Sequence, residues 1–123
     1  MILADSAIWI DHLRGGDALL VERLNRGAIY THPFVIGEIA LGSLARRDVV
    51  LSLLLDLPTV TEASAEEVLL FIAQQPLHGL GIGYVDAHLL TSVRLMPGMK
   101  LWTRDRRLRE AAARLDLVAD EAL

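Results

Sequence analysis

Cysteine is absent from the 123 residues, which excludes a disulfide framework and any thiolate chemistry. Lysine is nearly absent: Lys100 stands alone among twelve basic residues, and the other eleven are arginine. Apolar stretches such as Val49-Val50-Leu51 and Leu53-Leu54-Leu55 are too short to cross a bilayer, and charges recur throughout. No basic region precedes the first apolar stretch, because Asp5 follows directly on Met1 to Ala4, so a cleaved signal is not expected. The expectation is a soluble, cytoplasmic protein with no membrane contact.

What is present is a hydrophobic fraction of 53% with 23% charged residues, a balance that excludes disorder and fits one well-buried core. Neither a repeat nor a linker divides the chain, so residues 1–123 read as a single domain. The net charge of −4 argues against indiscriminate coating of nucleic acid, yet the charge is unevenly spread. Between Arg94 and Arg114 seven basic residues face only Asp105 and Glu110, a local excess of five positive charges on an acidic protein.

Hydrophobic periodicity and punctuation predict short strands alternating with helices. Met1 to Ala4 reads as a buried strand, Ser6 to Leu13 as a helix ended by Gly15-Gly16, and Asp17 as the cap of a helix reaching about Arg26. Ala28 to Thr31 reads as a second strand, and Pro33 opens a helix to about Ala45. A leucine-rich helix runs from Asp48 until Pro58, Thr59 to Thr61 is β-prone, and Ser64 to Glu67 is a capping box for a helix that Pro76 ends. After the Gly-rich stretch Gly79 to Gly83 come a helix from about Tyr84 to Leu95, a strand at Lys100 to Thr103, a helix from about Arg104 to Leu115, and a short strand at Leu117-Val118. This alternation means an α/β architecture with a central parallel sheet, whose ligands bind beyond the carboxyl ends of the strands.

Most acids have a simple place on a solvated face or at a helix cap, but four do not. Asp5 closes the first strand, directly after Ile2-Leu3-Ala4, and Asp105 follows Leu101-Trp102-Thr103 in the same position. Glu38 shares its predicted helix face with Phe34 and Leu41, and Asp86 with Leu89 and Leu90, so both are expected to point among apolar groups. Ionised carboxylates in such places need a partner, and almost no cation accompanies them. Carboxylates converging at one sheet end repel one another unless a divalent cation neutralises them; oxygen-only ligands point to Mg²⁺ or Mn²⁺.

In this order and context the four positions resemble the PIN-domain ribonucleases, specifically the VapC-like toxins of toxin–antitoxin pairs. The resemblance runs through Ile2-Leu3-Ala4-Asp5-Ser6, Val35-Ile36-Gly37-Glu38-Ile39, Gly83-Tyr84-Val85-Asp86-Ala87 and Leu101-Trp102-Thr103-Arg104-Asp105. It implies a three-layer α/β/α fold in which Asp5, Glu38, Asp86 and Asp105 are catalytic and surround one or two Mg²⁺ or Mn²⁺ ions. Asp5 and Asp86 are the direct ligands, Glu38 and Asp105 act directly or through water, and Ser6 and Thr103 orient the acids or a water. The implied reaction is hydrolysis of RNA by metal-activated water, leaving a 5′-phosphate and a 3′-hydroxyl. The glycines from Gly79 to Gly83, and His88, depart from the commoner family pattern.

Among the arginines, Arg104 and Arg107, both close to Asp105 in sequence, are the candidates for holding RNA phosphates. His12, His32, His78 and His88 share no ligand spacing, and Trp9 and Trp102 fit a core better than a base-stacking platform. The leucines from Leu41 to Leu57 form a large apolar surface, which the family uses for homodimerisation and for a VapB-like antitoxin. A phosphoryl-transfer domain of receiver or haloacid-dehalogenase type fits poorly, because Lys100 starts its strand and Asp5-Ser6-Ala7 lacks Asp-x-Asp. The stronger competitor is a PIN-fold module that binds RNA or protein without cleaving.

Overall fold

A computed structural model describes residues 1–121. Along the chain it places β1 (Ile2–Ala4), α1 (Ser6–Gly15), α2 (Ala18–Asn25), β2 (Ile29–Tyr30), α3 (Pro33–Ala40), α4 (Arg47–Leu55), α5 (Ala65–Gln74), α6 (Tyr84–Leu95), β3 (Lys100–Trp102) and α7 (Arg106–Arg114). The strands form a parallel sheet in the order β2-β1-β3, with Leu3 opposite Tyr30 on one side and Leu101 on the other. Parallel neighbours need crossovers, and the helices between them supply these in a three-layer α/β/α arrangement.

Both β-prone segments predicted outside the main strands extend the sheet as single bridges. Thr59 pairs with Thr31 beyond β2, and Val118 pairs with Leu101 beyond β3. Leu3, Ala4, Leu101 and Trp102 are completely buried, as continuous apolar strands covered on both faces should be. Around the sheet α3 packs between α1 and α4, while α5 packs on α6.

Several helix ends differ from expectation for local reasons. α3 stops at Ala40 rather than Ala45, with Leu41 as its cap and Gly42-Ser43 following. Arg46, at φ 54, then adopts the left-handed conformation and α4 begins at Arg47. α7 starts at Arg106 because Asp105 is its cap, accepting the Leu108 N–H at 2.9 Å. The capping box is present: Ser64 and Glu67 exchange side-chain and backbone hydrogen bonds.

Candidate functional site

The central strand delivers Asp5 to the carboxyl edge of the sheet, where its backbone N–H still bonds to Trp102 O at 3.0 Å. Beyond that bond the chain turns into α1, and Asp5 becomes the helix cap, with Oδ1 accepting the Ile8 N–H at 3.3 Å. Its other oxygen, Oδ2, accepts a short hydrogen bond from the buried Thr103 hydroxyl. That hydroxyl in turn accepts the Asp105 N–H at 3.1 Å. Because Thr103 has only one proton to donate, the Asp105 amide fixes its direction: the hydroxyl donates to Asp5. Thr103 therefore ties the ends of β1 and β3 together and orients one carboxylate.

Asp86 sits half-buried in the first turn of α6. Burial, followed by the fields of Asp5, Asp105 and Glu38, pushes its carboxyl up to about 6, against a backbone hydrogen bond from Gly83. Asp5 is also raised, chiefly by burial, with Thr103, Ile8 and Ala7 opposing and Asp105 adding. Asp86 thus feels the other three acids picked from the sequence, and Asp5 feels Asp105. Among the described residues none of the four has an ion pair.

Two positions need correction in detail. Glu38 is exposed, not turned among apolar groups, and it lines an open cleft with Ile10, Leu13 and Arg14. Its apolar neighbour Leu41 is itself 90% exposed, so the helix face they share is not a core face. Arg104 is not free to hold phosphates: its guanidinium reaches Asp17 at 2.6 Å, Glu121 at 2.9 Å and Asp11 at 3.0 Å. Those carboxylates hold its proton more firmly than usual, and Arg104 draws the Asp17 carboxyl down. Ser6, half-buried at the start of α1, makes no hydrogen bond with its hydroxyl among the described residues.

Arg107, the other candidate, is exposed and has no ion pair among the described residues. Its side chain lies across Gly81, where φ is +79° and a Cβ would overlap the guanidinium. The positive φ favours glycine there, and the absence of a side chain leaves the arginine free to lie over the backbone.

Some polar groups that matter structurally had no signal in the sequence. Arg23 is buried, stacks 4.5 Å from the centre of the Trp102 ring and donates to Asp120 O. Glu121 accepts from the Trp102 indole N–H as well as from Arg104, so the segment before residue 122 is stitched to the end of β3. His32 is fully buried, its Nδ1 accepting the Phe34 N–H at 2.9 Å, and burial holds it below the usual histidine range.

Whether the acids suit a divalent ion is decided by their chemistry. Four carboxylates, of which Asp5, Asp105 and Glu38 raise the fourth, Asp86, and none of which has a paired cation among the described residues, are a hard-oxygen donor set in need of positive charge. They are not drawn together, since among the described residues no three acidic or histidine side chains stand close enough to enclose an ion. Mutual repulsion spreads such groups, and Mg²⁺ keeps several waters and needs few direct protein ligands, so the donor set fits it.

Known proteins resemble this chain along nearly its whole length. The PIN domain family model matches residues 2–114. The proteins named Ribonuclease VapC32 from Mycobacterium tuberculosis strains CDC 1551 and H37Rv are each 50% identical over 113 residues, which cover 92% of this chain and 91% of theirs.

Proposed function

This chain belongs to the PIN domain family, and from that premise we propose that it is a Mg²⁺- or Mn²⁺-dependent endoribonuclease serving as the toxin of a toxin–antitoxin pair. One observation carries the chemistry: the Asp86 carboxyl is pushed up to about 6 by burial together with Asp5, Asp105 and Glu38. An arrangement costly without a cation makes sense where a cation is bound for use.

In this reading Asp5 and Asp86 hold the ion directly, with Glu38 and Asp105 acting directly or through water. A divalent ion there supplies Lewis acidity, activating water for attack and offsetting charge on the phosphoryl oxygens. The chain's own residues do the rest. Thr103 fixes the Asp5 carboxylate, and the Asp105 amide fixes Thr103. Arg107, which rests on Gly81 without an ion pair among the described residues, binds an RNA phosphate oxygen. Water adds to phosphorus, the bond to the 3′-oxygen breaks, and that oxygen takes a proton, leaving a 5′-phosphate and a 3′-hydroxyl.

The helical surface supports a VapB-like antitoxin and a homodimer as partners. Leu41, Leu53 and Leu55 are all more than half exposed, and a groove of about 240 Å³ is lined by Trp9, Leu13, Leu24, Val50, Leu54 and Leu57 among others. Apolar surface of this extent is stable when another chain covers it. Among the described residues no helix is long and apolar enough to cross a membrane, which suits action in the cytoplasm.

The test is cleavage of total cellular RNA by purified protein with Mg²⁺ or Mn²⁺, beside an EDTA control and Asp5→Asn. The substitution keeps an oxygen to accept from Ile8 or Thr103 while removing the charge. Metal-dependent cleavage lost in the variant is expected. Equal cleavage by the variant would reject the site, and no cleavage by folded, antitoxin-free protein would favour a PIN module that only binds.

A further inference from the structure

The segment from Gly79 to Gly83 takes no part in the carboxylate cluster beyond Gly83, yet it forms one wall of a surface cleft. The cleft has a volume of about 230 Å³ and is lined by Leu77, His78, Gly81, Ile82, Tyr84 and Ala87 among others. Three observations give it a ligand class. The first is Tyr84, a large aromatic left 52% exposed at the start of α6. Its ring is propped edge-to-face on His88 at 4.7 Å, His88 stands on Phe34 at 4.9 Å, and Phe34 on His32 at 5.0 Å. Both histidines are buried, so this row of rings holds the tyrosine plane in place.

The second is Arg107, whose guanidinium rests on Gly81 at the rim of the cleft with no ion pair among the described residues. The third is continuity with the acids. Gly83 lines the cleft and also lies against the Asp86 carboxyl, whose Oδ2 a Cβ at this glycine would meet at 3.9 Å. A ligand in this cleft therefore needs a flat apolar face for Tyr84 and Ile82, a polar edge for His78 and the backbone of the glycine loop, and an attached anion for Arg107. An unpaired nucleotide has all three.

We propose that this cleft is a nucleobase subsite, in which one unpaired base of the RNA next to the cleaved phosphodiester stacks on Tyr84 while Arg107 holds the adjoining phosphate. The assignment rests on the ribonuclease reading and adds to it a residue that selects where the strand is cut. Tyr84 is a specificity residue and takes no share in holding the ion.

The decisive experiment titrates a single-stranded RNA oligonucleotide bearing one 2-aminopurine into the wild-type chain, Tyr84→Phe and Tyr84→Ala, in EDTA so that the RNA stays intact. Stacking quenches the fluorophore. Wild type and Tyr84→Phe are expected to quench it and bind within about twofold of each other, while Tyr84→Ala loses the quenching and ~5- to 150-fold in affinity. Thermal melts of the variants report whether the exposed position has disturbed the fold. With Mg²⁺, Tyr84→Ala is expected to raise KM and broaden the set of cleaved sites while kcat stays near that of wild type. Absence of binding by wild type, or equal affinity and quenching in Tyr84→Ala, overturns the subsite even if RNA is still cleaved. Stacking without any metal-dependent cleavage would instead overturn the ribonuclease reading and leave the subsite standing.

Discussion

Replacing Asp86 with asparagine should make the metal-free protein more stable at neutral pH while destroying its activity. The Asp86 carboxyl lies at about 6 in the folded chain against an ordinary value of 3.8. A carboxylate raised by folding binds its proton more tightly in the native state, so its contribution favours folding below the ordinary value and is lost as pH rises through 6. A proton held that much more tightly corresponds to ~3 kcal/mol at most, and solvent screening of this half-buried group brings the figure to about 1–2 kcal/mol. Asp5 is raised for the same reasons and adds a cost of the same sign, whereas Asp17 and Glu121 are lowered and stabilise as pH rises. The difference between wild type and Asp86→Asn reports this group together with its coupling to Asp5, Asp105 and Glu38. Urea unfolding in EDTA at about pH 4, 5, 6 and 7 should give a gap that opens across this range in favour of the variant. Millimolar Mg²⁺ should then stabilise wild type and leave Asp86→Asn nearly unmoved. A gap that is constant with pH, or a variant less stable at neutral pH, would refute the idea that Asp86 is held among like charges.

Two further perturbations test neighbouring groups. Thr103→Val keeps the shape of a buried side chain but leaves Asp5 Oδ2 and the Asp105 N–H without their shared partner; a loss of about 1–3 kcal/mol in chemical unfolding and a larger relative loss of cleavage rate are expected. Arg107→Ala should weaken binding to single-stranded RNA and lower the slope of log affinity against log salt by roughly 0.7, whereas Arg104→Ala should lower the melting temperature and leave that slope unchanged.

The parts of the site that could be read from the sequence are those fixed by neighbours along the chain. An acid directly after a buried apolar strand must emerge at the sheet's carboxyl end, and Asp5 does; Asp105 follows β3 in the same way and doubles as a cap. Asp86 was legible because Leu89 and Leu90 are buried on its helix, so the face it shares turns inward. The same rule misplaced Glu38, because it assumes that an apolar neighbour is a buried one. Leu41 breaks that assumption: it is a surface leucine, 90% exposed, on the face proposed to take a partner chain, so its hydrophobicity does not mark the core.

What stayed hidden depends on contacts between residues far apart. Arg104 adjoins Asp105 in sequence and so looked available to a phosphate, but its fate is set by Asp11 and Asp17 from the first part of the chain and Glu121 from the last. Arg107, farther from Asp105 in sequence, is left without an ion pair among the described residues, because α7 carries it over a glycine where no side chain competes. The division follows from the cap. Asp105 caps the start of α7, so Arg104 remains in the link from β3, on the side of the tail, while Arg107 falls in the first turn of the helix, over the loop that leads to Asp86. Placing the cap correctly therefore separates Arg104 from the arginines of α7, and the contact with Gly81 then marks Arg107 among them. An alteration that moved the start of α7 by one residue would rotate Arg107 off Gly81, yet the ion pairs of Arg104, which precede the cap, would stay in place.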